Sequence, residues 1–219
     1  MKLALCIAAT LVALAAWNGG SVSLASDGHN LSSVNGSVRA EAGTTYDSLS
    51  TVNGDVRMER GAIADSAKTV NGEVRIESEA RVGSASTVNG SLEAGEGSSI
   101  ARDASTVNGG IRLAKGVHVG GDVTTVSGEI ELNGAEVGGE LTTNNGDIDL
   151  DQGAQVRGGI HVKKSNDWGW GRGKQEPVKV HVCSTCTVDG ELRFDRPVEL
   201  RVDNGGRIGK VIGDSVTRR

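Results

Sequence analysis

The chain has 219 residues, 23 of them basic and 28 acidic, and its net charge of −5 gives no attraction for nucleic acid. Aromatic residues amount to 2%, with one Phe and one Tyr, which excludes an ordinary globular core built on bulky side chains. Its 33 glycines point instead to a chain that turns many corners.

The first segment, MKLALCIAATLVALAAWNGGSVSLAS, has a single Lys, an apolar run from Leu3 to Trp17 and then small polar residues. A run of about fifteen apolar residues is short for a membrane span and suits a secretory signal. Residues 1–25 are therefore expected to be removed, with cleavage after Ala25 or Ala15. That leaves an exported chain, periplasmic, secreted or at the cell surface, without a transmembrane segment in its mature part. Cys6 lies too near the front of the apolar run to be a lipoprotein cysteine.

A repeat follows, and it decides the fold. The tetrapeptide begins at Ser33 (SVNG), at Thr51, Thr69, Thr87 and Thr106 (TVNG), at Thr125 (TVSG) and at Thr143 (TNNG), so successive starts differ by 18, 18, 18, 19, 19 and 18. TVDG at Thr187 reads as a degraded copy. Inside one copy, TVNGEVRIESEARVGSAS, the apolar Val70, Val74 and Ile76 alternate with polar residues, and Val82 follows. Period two means strand, and the recurring Asn-Gly would interrupt a helix. A coil of about 18 residues divides into three strands of about six. The expected fold is therefore all-β: a single-stranded parallel β-helix, triangular and right-handed, with one repeat per coil. Stacked at about 4.8 Å, roughly eight coils make a rod about 40 Å long.

Two columns are expected to fill the bore: Val52, Val70, Val88, Val107 and Val126 at the second position, and Val56, Val74, Leu92, Ile111, Ile130 and Ile148 at the sixth. Each buried member contributes roughly 1.5 to 3 kcal/mol. The third position forms an asparagine column, Asn35, Asn53, Asn71, Asn89, Asn108 and Asn145, broken by Ser127. Asn before Gly is turn chemistry and tolerates left-handed backbone. The column is read as a structural corner whose amides bond to backbone or to the Asn one coil away, in preference to a surface ligand ladder.

Outward positions carry charge. Asp55 lies beside Arg57 and Glu73 beside Arg75, and the column Arg39, Arg57, Arg75, Arg112 gains from the carboxylates between its members. Farther on, Glu129, Glu131, Asp147, Asp149 and Asp151 are expected to cluster over two coils without a basic partner, a set of oxygen ligands that suits Ca²⁺. The nonapeptide of calcium-loaded β-rolls is absent, and no resident cofactor is assigned.

One stretch breaks the count, KKSNDWGWGRGKQEP at 163–177. Its Trp168 and Trp170, with Arg172, are the best binding candidates in the sequence, because exposed Trp stacks on sugar rings or anchors a partner. The alternative is that the tryptophans fold back to cover the rod. Residues 178–219 are read as capping coils of a solenoid domain spanning 26–219, with Phe194, Pro197 and the tail GDSVTRR closing its end.

Export leaves Cys183 and Cys186 as the cysteines of the mature chain. A disulfide is the simplest reading in an oxidising compartment; a zinc half-site with His181 and a redox-active pair are the alternatives. His118, in KGVHVGGDV, invites comparison with hexapeptide acyltransferases, β-helices with a histidine base, but their donors are intracellular. Pectate-lyase-like β-helices need longer coils and projecting loops. No Ser/His/Asp set, phosphate loop or metalloprotease motif appears, so no enzymatic activity is expected.

TVNGDVRM, TVNGEVRI and TVSGEIEL, with VGGDV and VGGEL, resemble the repeats of bacterial adhesin-type β-solenoid proteins and, less closely, those of bactofilins, the polymer-forming cytoskeletal β-helices. The resemblance covers 33–162 and returns at 178–213. The adhesin family implies an exported, non-enzymatic envelope protein. Bactofilins imply end-to-end filaments formed without nucleotide, although most are cytoplasmic and the signal segment departs from that pattern. Neither family supplies catalytic residues. The expected role is a structural or interaction solenoid of the bacterial cell envelope, with itself or an envelope glycan or protein as partner. One alternative is a carbohydrate-binding or carbohydrate-active β-helix using Trp168 and Trp170; another is a metal-binding module using the acidic coils.

Overall fold

The computed structural model describes residues 30–164, 176–213 and 216–218, and among them every helix or strand is a β-strand. Sixteen strands form one parallel sheet and ten another. The larger sheet bends round a corner and supplies two faces of a triangular rod; the ten-stranded sheet is the third. One coil shows the path. The chain runs along the first face at His118–Val119, turns at Gly120 and Gly121, and runs along the second face at Val123–Thr124. It then turns at TVSG, follows the third face at Ile130–Asn133, and returns at Glu136–Val137 in register with His118–Val119. In the early coils the first two faces are one long strand, as in Thr45–Asn53 and Ile63–Asn71.

On the third face each residue pairs with its counterpart one repeat on, Val38 with Val56, Val74 with Leu92 and Leu92 with Ile111, as far as Ile148. The next step is much longer, from Ile148 to Val180, because the insertion lies within it; the one after, from Val180 to Leu200, is close to a normal coil. Ten rungs make the rod about 43 Å long.

The sixth-position column, Val56 to Ile148, lines the bore as expected, each member 1% exposed or less. The second-position column does not. Val52, Val70, Val88, Val107 and Val126 are 38–41% exposed, whereas Thr51, Thr69, Thr87, Thr106 and Thr125 are buried at 5% or less. Straight alternation carried through Asn-Gly puts Val70 and Val74 on one side, but the chain turns at that glycine and the phase resets. Threonine is stable inside because its hydroxyl donates to the glycine carbonyl one coil earlier: Thr69 Oγ1 to Gly54 O at 2.8 Å and Thr87 Oγ1 to Gly72 O at 2.9 Å.

The glycine of the tetrapeptide is fixed by that same carbonyl. A Cβ on Gly90 would lie 1.9 Å from Gly72 O, and one on Gly146 would lie 1.7 Å from Gly128 O. Asn is the outer rail of the corner. Asn53 Nδ2 donates to Asn35 Oδ1 at 3.0 Å, and Asn71, Asn89 and Asn108 each donate to the preceding Asn at 2.9 Å. None of these asparagines has positive φ; among the described residues the left-handed non-glycine residues are Glu79 and Gln152, at another corner. Within the tetrapeptide, then, Thr and Gly stack the corner from inside, Asn stacks it from outside, and Val faces solvent.

Two further expectations change. TVDG at Thr187 lies on the first face, where Thr187 pairs with Gln155 and Arg207, so it belongs to the Gly-Gly corner and not to the TVNG column. The residues read as a cap continue the coils: Val216–Arg218 adds a tenth strand to the third face. The single Tyr and the single Phe sit toward opposite ends of the bore. Tyr46 stands 2% exposed in line with Ala64 and accepts a hydrogen bond from the Glu41 N–H at 3.1 Å; Phe194 stands 4% exposed in line with Val162.

Candidate functional site

The insertion leaves the rod after Gly159–Val162 on the second face and returns at Val178–Val182 on the third, so it replaces a TVNG corner. Trp168, Trp170 and Arg172 lie outside the described residues. What holds the stem of the insertion is visible. Arg196 is 8% exposed and reaches back from the following coil. Its guanidinium donates to Asn144 O at 2.6 Å, to Asn145 Oδ1, and to Glu176 O at 2.9 Å. It thereby ends the asparagine rail where the next asparagine is missing and ties the returning chain to the rod. The sequence reading missed Arg196. The signal was register: ELRFDR set beneath ELTTNN places Arg196 over Asn145.

Histidines flank the same seam. His161 Nε2 lies 2.8 Å from Asp195, with Nδ1 4.0 Å from Glu140. The hydrogen bond from His161 holds Asp195 below the usual carboxylate range, against the opposing effect of burial. His181 Nδ1 lies 2.8 Å from Asp149 and its Nε2 3.1 Å from Asp203. Next to it, Cys183 and Cys186 form a disulfide, with Cα atoms 5.0 Å apart. His118 stands elsewhere, on the first face, 3.6 Å from Glu136, which also pairs with Arg157.

Of the five acidic residues, Glu131 and Asp149 have basic side-chain partners, contrary to the sequence reading. Glu131 meets Arg112 at 3.0 Å and accepts from Asn133 Nδ2 at 2.7 Å. Asp149 meets His181, while Asp147 and Asp151 accept backbone N–H groups of Lys179 and Gln152 at 2.8 and 2.7 Å. Among the described residues no group of three His, Cys, Asp or Glu is placed to hold a metal ion. The arginine column is interleaved with carboxylates: Arg57 with Glu59 and Glu77, Arg75 with Glu73 and Glu93, Arg112 with Glu93 and Glu131. Asp55 does not pair with Arg57; it accepts from the Glu73 N–H at 2.9 Å.

The second face differs over the first six coils. Its outward side chains are Ser32, Ser50, Lys68, Ser86, Ser105 and Thr124, bordered by the valines Val34 to Val126 and then the asparagine rail. Lys68 is the one charge in those three columns, and in later coils His161 and Arg193 take the serine position. The result is a flat, nearly neutral strip of hydroxyl, methyl and amide groups on a chain in which 23% of residues are charged.

Comparison with known proteins gives no match, whether to family models, to curated proteins or to solved structures. No helix among the described residues is long and apolar enough to cross a membrane.

Proposed function

We propose that this chain is an exported, non-enzymatic solenoid of the bacterial cell envelope that acts as a structural or interaction rod. The observation that carries the reading is how the repeat disposes of its side chains. Thr, Asn and Gly join each coil to the next, the charged columns neutralise one another, and what remains for a partner is the neutral strip, the insertion and the rod ends. The last described rung supports self-association. Its Ile208, Val211 and Val216 are only partly buried, whereas Val188, Leu192 and Val198 one coil earlier are 1% exposed or less. Unpaired strand edges with apolar side chains are a template for another chain. Sedimentation and negative-stain microscopy of the chain from Ser26 onward test this across a concentration series. Particles that lengthen with concentration support assembly through the ends; a fixed monomer at every concentration removes it.

A second reading, an envelope-glycan binder using Trp168, Trp170 and Arg172, is favoured by the buried Arg196, which ties the returning end of the insertion to the rod. Replacing both tryptophans with Ala abolishes glycan binding under this reading and leaves rod assembly unchanged.

A further inference from the structure

We infer that His181 is a proton-dependent staple, which locks the strand rejoining the rod after the insertion to the coils on both sides while it is protonated and loosens it when neutral. Both ring nitrogens face carboxylate oxygens, Nδ1 that of Asp149 at 2.8 Å and Nε2 that of Asp203 at 3.1 Å. A neutral imidazole has one N–H, so one nitrogen would then turn its lone pair toward a carboxylate; only the imidazolium donates to both. The two carboxylates come from different coils, Asp149 in the strand Ile148–Asp151 and Asp203 just beyond Val198–Val202, and His181 is registered between them opposite Asp149 and Arg201. One side chain therefore spans three rungs at the place where the chain between rungs is longest, from Ile148 to Val180.

The surrounding charges favour the imidazolium. Asp147, Asp149 and Asp151 come from the coil before. Glu199, Arg201 and Asp203 come from the coil after, with Arg201 bound to Asp203 at 3.1 Å, and Lys179 stands on the same strand. Burial alone would lower the His181 pKa, but the hydrogen bonds to Asp149 and then Asp203 outweigh it and the pKa lies above the ordinary 6.5. The hydrogen bond from His181 in turn lowers Asp203, against burial and with help from Arg201. Stability from the raised His181 is fully present below pH 6.5 and is lost as pH rises through its folded value; stability from the lowered Asp203 is present above pH 3.8 and is lost as pH falls through its folded value. The staple is closed between these limits. His161 is the internal control, because its Nδ1 is 4.0 Å from Glu140 and a single proton on Nε2 satisfies Asp195.

Hydrogen exchange of the whole chain, corrected for intrinsic rates, tests this at pH 6 and pH 8.5. Protection of Val178–Val182, taken relative to Val74–Ile76, should fall about twofold to tenfold at the higher pH, as two partly exposed ion pairs allow. The fall should vanish in His181→Gln, shrink in Asp203→Asn, where Asp149 still faces Nδ1, and persist in His161→Gln. A ratio unchanged by pH in the native chain overturns the inference, as does a fall that survives in His181→Gln or is undiminished in Asp203→Asn.

Discussion

Replacing Gly90 with Ala is the sharpest test of how the corner is stacked. The added methyl would lie 1.9 Å from Gly72 O and 2.6 Å from Gly72 C, so the two coils must separate locally by about 1.5 Å before ordinary contact is restored. That displacement takes Gly72 N to Asn89 O, now 3.1 Å, beyond hydrogen-bonding range, and strains the bond from Thr87 Oγ1 to Gly72 O at 2.9 Å. Losing two or three such bonds, some leaving buried groups without partners, costs about 3 to 5 kcal/mol. Gly97→Ala is the control. It has open space around the new methyl and a φ of +67°, so its cost is the left-handed backbone alone, about 1 to 2 kcal/mol. Urea unfolding followed by far-UV circular dichroism measures both, and hydrogen exchange shows whether the loss centres on the coil of Gly90. If Gly90→Ala is no more destabilising than Gly97→Ala, the corner is not held by the carbonyl contact and the account of the tetrapeptide is wrong.

Val70→Ser should change stability by no more than about 0.5 kcal/mol, while Val74→Ser, which buries a hydroxyl in the bore, should cost about 3 to 5 kcal/mol; thermal melts of the two variants decide which valine is inside. Asn71→Ala removes the bonds to Asn53 and from Asn89 and should cost about 1 to 2 kcal/mol by denaturant unfolding; Asn71→Asp still accepts from Asn89 but turns a carboxylate oxygen toward Asn53 Oδ1, and should lose at least as much. Reducing the Cys183–Cys186 disulfide opens a short loop and should lower stability by about 2 kcal/mol in melts with and without reductant, without changing the unfolding of coils near Val74.

The step of the repeat and the alternation within it were enough to reach a parallel solenoid with one repeat per coil, because both are one-dimensional signals that stacking preserves. Which side of the wall a residue faces was harder. Val70 and Thr69 differ by one place, and the sequence shows the corner at Gly72 without showing how far it rotates the chain. A preference for apolar side chains inside then chose Val, where the Gly54 carbonyl favours Thr. The acidic coils misled for a related reason. Asp149 and His181 stand on either side of the insertion, and only the register across it brings them together. The asparagine rail was legible because its members recur at the repeat step; Arg196 was not, because it answers a rung that the insertion removes.

Stacking through backbone bonds that point along the axis of the rod also determines how the molecule answers a pull. Tension between its two ends is carried by every rung in series, but a coil at a free end opens bond by bond, so coils peel singly. Each peeled coil releases roughly 60 Å of contour and exposes on its neighbour the template on which it can wind again. A protein anchored at one end and loaded at the other would yield in small, reversible steps and so act as a shock absorber.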